Sequence, residues 1–115
     1  MAQAEIGLGE FTERVRAALN IEPLVIAAGP ETVRRVGVLT GAGGSLIAGA
    51  ANAGIDTFLT GEGAHHTYFD AEERGINVLY AGHYATETVG VCALGKHLTE
   101  RFGLETVFFD HPTGL

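Results

Sequence analysis

Apolar residues recur along this chain with two periods. Over residues 10–20, Phe11, Val15 and Leu19 fall four apart, Ala18 widens the stripe, and Glu13, Arg14 and Arg16 take the other face. That spacing predicts an amphipathic helix, which Asn20 can end. Short apolar runs at 24–28, 35–40, 57–60, 76–81 and 104–110 predict five strands. Val36 and Val38 alternate with Arg35 and Gly37, so the second of these strands carries one wetter face. Helical patterns fill the gaps: a small-residue helix over 46–53, a segment over 64–74, and a long amphipathic stretch over 84–102. In that last stretch Glu87, Val91, Leu94 and Leu98 form one stripe, polar at its start and apolar after, expected to pack on the core. Residues 6–9 read as a lead-in segment. Strands alternate with helices throughout, which predicts one α/β domain over residues 1–115, with a mainly parallel sheet and flanking helices.

Composition narrows the class. A chain of 115 residues with 46% hydrophobic content suits one small domain with a real core. Its formal net charge is -7 and it has no Lys/Arg run, which argues against nucleic acid as a partner. No apolar run reaches membrane-spanning length, and the first residues lack the basic and apolar regions of a signal peptide, so a cytoplasmic protein is expected. The one cysteine, Cys92, excludes an internal disulfide and is expected as a small buried residue of the long helix.

Most of the 17 glycines fall at junctions between strands and helices, and three such junctions carry the candidate chemistry. After the run 76–81, Gly82 breaks the strand and His83 and Glu87 open the long helix, four apart and on one face. An imidazole and a carboxylate so placed can hold a borderline divalent metal from two sides. The positive helix start favours ionised Glu87 and disfavours protonated His83, the states a metal needs. The plainer alternative is that Glu87 answers the helix dipole and His83 neighbours the cap. At a second junction, Gly41-Ala42-Gly43-Gly44-Ser45 opens a helix. Such a turn either presents N–H groups to a phosphate or is a tight turn with close packing. It is neither a dinucleotide fingerprint nor a Walker loop, because Leu46 stands where a third glycine is needed and no Lys-Ser/Thr follows. The third junction carries His65 and His66, about 100° apart if helical, so at most one is expected to share a site with His83. If parallel order holds, all three junctions share one sheet edge, where ligands bind in open α/β sheets.

Together these pieces resemble the C-terminal lobe of the Nif-three-like family, often labelled GTP cyclohydrolase 1 type 2 homologs. The resemblance rests on the 40–45 turn, the block 54–62, the His65-His66 pair, the run Ala81-Gly82-His83-Tyr84-Ala85-Thr86-Glu87, and Phe108-Phe109-Asp110-His111-Pro112. It implies half of a two-lobed α/β protein that holds two metal ions in a cleft and assembles into rings. It implies that His83 and Glu87 are metal ligands, with His66, and His65 beside it, near that site. It implies a divalent cofactor and metal-dependent hydrolysis of phosphoester or nucleotide substrates. Mixed His and carboxylate donors allow zinc, manganese, iron or nickel, and in the enzyme reading the turn with Gly41, Gly43 and Gly44 is expected against a small phosphorylated ligand. The family's N-terminal lobe, which supplies further ligands, has no counterpart in this sequence. The expected partners are therefore further copies of the chain or a separate N-terminal lobe. Two functions follow: a hydrolase lobe active once a second lobe completes the cleft, or a non-catalytic metal-binding or assembly module.

Overall fold

The computed structural model describes residues 2–115. Its elements are β1 (Ala2–Gly7), α1 (Leu8–Leu19), β2 (Leu24–Ala27), β3 (Thr32–Leu39), a 3₁₀ turn (Gly44–Leu46), α2 (Ile47–Asn52), β4 (Thr57–Thr60), α3 (Thr67–Arg74), β5 (Asn77–Tyr80) and α4 (His83–Phe102). Five strands form one sheet in the order β1-β3-β4-β5-β2. β3, β4 and β5 run parallel at the centre, as the strand-helix alternation predicts. The two edges are antiparallel: β1 on β3 and β2 on β5.

The count of five is right for a different set of strands. β1 includes residues 6 and 7 of the expected lead-in segment, and residues 104–110 form no strand. β1 and β2 are the edge strands of the sheet, and the 104–110 segment pairs with neither. It turns back along α4 instead, held by Thr106 Oγ1 donating to the Gly95 carbonyl (3.3 Å) and by Tyr84 Oη donating to Asp110 Oδ1 (2.7 Å).

The sheet is covered on both faces. Side chains alternate along each strand, so neighbours in sequence enter opposite layers. Phe58 and Val78 join Ile26, Ile47, Ala71 and Ile76 under α2 and α3. Leu79 and Ala81 join Val15 under α1, with Phe11, Leu19 and Leu59 packed around them. The small-residue helix α2 lies close to its neighbours, with Ile47 and Ala50 buried. Helix α1 ends on Asn20 in the left-handed region (φ 51°), which asparagine tolerates.

Helix α4 departs from expectation. Thr86 is its one buried residue among those described. Val91 and Leu94, expected on the core, are 56% and 57% exposed, and Cys92 is exposed rather than buried. The stripe is real, but among the described residues only the returning 104–110 segment touches the later turns of the helix, and Val91 and Leu94 stay exposed. The molecule is accordingly elongated, 49 × 29 × 23 Å. Among the described residues, no helix is long and apolar enough to cross a membrane.

Candidate functional site

The three glycine junctions meet at one edge because β3, β4 and β5 are parallel and each hands over to a helix there. Backbone hydrogen bonds stitch them together. The Gly41 carbonyl accepts from Gly61 N (2.9 Å) and Glu62 N (3.0 Å), and the Gly61 carbonyl accepts from Gly82 N (2.9 Å).

Gly82 is the N-cap of α4 with φ 91°, a conformation that suits glycine. It turns the chain sharply from β5 and places His83 in the first helical turn. His83 Nε2 lies 3.3 Å from Glu87 Oε1, so the four-residue spacing does bring the pair together. Two donors on one ion, each about 2.0–2.2 Å from it at tetrahedral to octahedral angles, stand roughly 3–3.5 Å apart. The pair has the separation a shared metal requires.

On its other side the imidazole is engaged. His83 Nδ1 is 2.6 Å from Glu62 Oε1. Glu62 follows β4 by two residues and reaches the site from the neighbouring junction. The sequence pattern alone assigns it no role. Its position just past a strand end, at the same edge as His83, is the signal that could have found it. The Glu62 hydrogen bond, with Glu87 adding to it, raises the His83 pKa above its ordinary value of 6.5, and desolvation opposes them. The helix start alone argues for neutral imidazole; two carboxylates outweigh it. A metal at Nε2 therefore competes with a proton that is held more firmly than expected.

Thr86 is the other residue not anticipated. It lies three residues after His83, on the same helical face. Its Oγ1 accepts from Gly41 N at 2.9 Å and donates back to the Gly82 carbonyl at 2.9 Å. That latch presses the Gly41 turn against the pair. Gly41 has φ 74°, and a Cβ there would come within 2.6 Å of Glu87 Oε1 and 3.2 Å of His83 Nε2. Only glycine fits.

The glycine turn does not offer the anion cradle its sequence allows. Gly41 N donates to Thr86 Oγ1, Gly43 N to Thr60 Oγ1 (3.0 Å) and Gly44 N to the Glu62 carbonyl (3.1 Å). All three N–H groups are spent inside the chain, and the tight-turn reading accounts for them. His65 and His66 are both exposed. His65 lines a separate pocket of about 210 Å³ with Leu24, Tyr68 and Tyr80. His66 is the N-cap of α3 and makes no side-chain cap bond. Among the described residues, no three His, Cys, Asp or Glu side chains are grouped to hold a metal. Glu62 and Glu87 flank opposite nitrogens of His83, so all three cannot share one ion. Within one chain, among the described residues, two side chains, His83 and Glu87, are placed where they could hold one ion.

Residues 1–114 match the family described as Duf34/NIF3 (NGG1p interacting factor 3). The chain belongs to that family. It is 43% identical over 111 residues to a GTP cyclohydrolase 1 type 2 homolog of Deinococcus radiodurans, covering 96% of this chain and 42% of the relative. It is 48% identical over 87 residues to the protein of that name from Pyrococcus abyssi, covering 76% of this chain and 34% of the relative. Among solved structures, TTHA1606 from Thermus thermophilus superposes with a TM-score of 0.89 at 43% identity, over 97% of this chain and 45% of that one. This DUF34/NIF3 chain thus spans less than half the length of the curated relatives it matches.

Proposed function

We propose that this chain is the divalent-metal-binding lobe of a metal-dependent hydrolase acting on phosphoester or nucleotide substrates. The observation that carries the reading is His83 Nε2 and Glu87 Oε1 at 3.3 Å, at the open end of α4 where strands of a parallel centre finish. A bound metal of the zinc, manganese, iron or nickel class would supply Lewis acidity and a water of lowered pKa. The chain's own residues do the rest: His83 and Glu87 bind, Glu62 holds the far side of the imidazole, and Gly41 closes one wall without filling the site.

Two ligands leave most coordination positions open, so groups from outside this chain complete the site. The proposed source is self-association, or a separate N-terminal lobe. Exposed apolar surface supports this: Val89, Val91, Leu94 and Phe102 along α4, then Val107 and Phe109 beyond it, are 55–86% exposed. A groove of about 560 Å³ lined by Phe11, Val15, Val38, Leu39 and Val89 adjoins them. A cytoplasmic setting belongs to the same reading, since the lone exposed thiol of Cys92 persists best in a reducing compartment.

The incomplete ligand set favours a second reading, a non-catalytic metal-binding or assembly module. One experiment addresses both. Zinc titration by calorimetry, with mass in solution by light scattering, is expected to show zinc uptake by an oligomer and none by His83→Ala. Equal uptake by wild type and His83→Ala would remove the metal site and leave the assembly module. Hydrolysis of a generic phosphodiester by the zinc-loaded oligomer separates the enzyme from the passive binder.

A further inference from the structure

Glu62 lies outside the pair proposed to bind metal, and we infer that it is the positioning residue that sets His83 up as a ligand. The inference rests on the metal reading above and adds to it the group that decides which imidazole nitrogen is offered. The 2.6 Å separation between His83 Nδ1 and Glu62 Oε1 fits a charge-assisted hydrogen bond, with Nδ1–H donating to the carboxylate. A neutral imidazole carries one proton, so holding it on Nδ1 leaves the lone pair on Nε2. Nε2 is the nitrogen 3.3 Å from Glu87. A metal-bound histidine whose other nitrogen donates to a carboxylate is fixed in tautomer and ring orientation and is a more basic ligand.

The backbone makes Glu62 a rigid support. Its N–H donates to the Gly41 carbonyl and its own carbonyl accepts from Gly44 N (3.1 Å). The peptide is therefore pinned on both sides against the Gly41–Gly44 turn, and the side chain starts from a fixed point. The side chains of Glu62 and His83 are 46% and 36% exposed. An ordinary ion pair at that exposure contributes little to stability, so removing the carboxylate leaves the fold in place.

The test uses the whole chain, wild type and the variants Glu62→Gln and Glu62→Ala. Long-range ¹H–¹⁵N spectra of the imidazole at pH 9 report its tautomer. Wild type is expected to show the Nδ1–H form, and Glu62→Ala a mixture shifted toward Nε2–H. Zinc affinity by calorimetry is expected to fall about 10- to 100-fold in Glu62→Ala. In Glu62→Gln the loss is expected to be smaller, because the amide oxygen still accepts from Nδ1. A surface ion pair without a positioning role would move neither readout. If zinc binds wild type and Glu62→Ala equally, the inference is overturned while the metal site stands. If no protein takes up zinc, the metal reading fails. The tautomer spectra then decide alone, and an unchanged tautomer in Glu62→Ala overturns the inference.

Discussion

The two ends of α4 are held by different forces. At its start, Thr86 is 7% exposed, latched to Gly41 and Gly82, and His83 is engaged on both ring nitrogens. From Val89 onward the helix leans on little but its own returning tail, and its apolar side chains face outward. Most helical stability in a protein comes from packing an apolar face, which the later turns of this 20-residue helix do not do. The first end is therefore anchored by the chain, and the second leaves an apolar face exposed. The His83–Glu87 pair sits at the anchored end, where the chain's own hydrogen bonds fix its geometry.

The sharpest break of this comparison is a pair of truncations. Leu79 is fully buried beneath α1, and Leu79→Ala is expected to cost about 2–5 kcal/mol through lost burial and a residual cavity. Leu94 on α4 is 57% exposed, and Leu94→Ala is expected to cost no more than about 0.5 kcal/mol. Urea unfolding of both, compared with wild type at one protein concentration, gives the difference. A large loss for Leu94→Ala that grows on dilution would mean that the outer face is covered in solution, and would name that face as the interface.

Glycines give a second contrast, of opposite signs. A Cβ on Gly61 would come within 2.8 Å of the Gly82 carbonyl oxygen and of His83 Cα, both backbone atoms that cannot give way. Gly61→Ala is expected to destabilise by about 1–3 kcal/mol. A Cβ on Gly90, in the middle of α4, meets nothing within 4 Å. Gly90→Ala is expected to stabilise by about 0.5–1 kcal/mol through helix propensity. Melting temperatures that move in the same direction for both would contradict the picture of a packed edge beside a bare helix.

The same division explains what the sequence made legible. Features decided by neighbours in the chain were readable: the helix from Phe11, Val15 and Leu19, the strands on either side of the glycine turns, and the His83–Glu87 spacing. The shared edge was readable too, since parallel order forces it. Features decided by a distant surface were not. Residues 104–110 have strand-like apolar content, but the segment is held against α4 and not against a sheet edge, so the pattern predicts a strand that does not form. Val91 and Leu94 carry a core-like stripe with no core beneath it. The edge strand β1 was missed because its pairing with β3 is non-local. Glu62 and Thr86 were missed for another reason: a lone Glu after a strand and a Thr in a helix's first turn are common, and only contact with His83 and Gly41 gives them meaning.

The smallest effect tests the anchored end by pH. His83 has its folded pKa raised above 6.5, first by Glu62. A raised folded value means the folded state binds the proton more tightly than the unfolded chain does. The stability this adds is fully present below about pH 6.5 and is lost as pH rises through the folded value. Its size is limited by exposure and screening. Wild type is therefore expected to melt slightly higher than Glu62→Gln at pH 6, in metal-free buffer, with the gap narrowing toward pH 9. The control lies on the other end of the helix. Lys96 and Glu100 are 3.9 Å apart with side chains 76% and 65% exposed. Glu100→Gln should leave the melting curve's pH dependence in that window unchanged. Parallel pH profiles for wild type and Glu62→Gln would mean that the carboxylate does not bias the imidazole in solution. Both ends of α4 would then be equally loose, and the distinction between an anchored site and a dependent helix would fall at its weakest link.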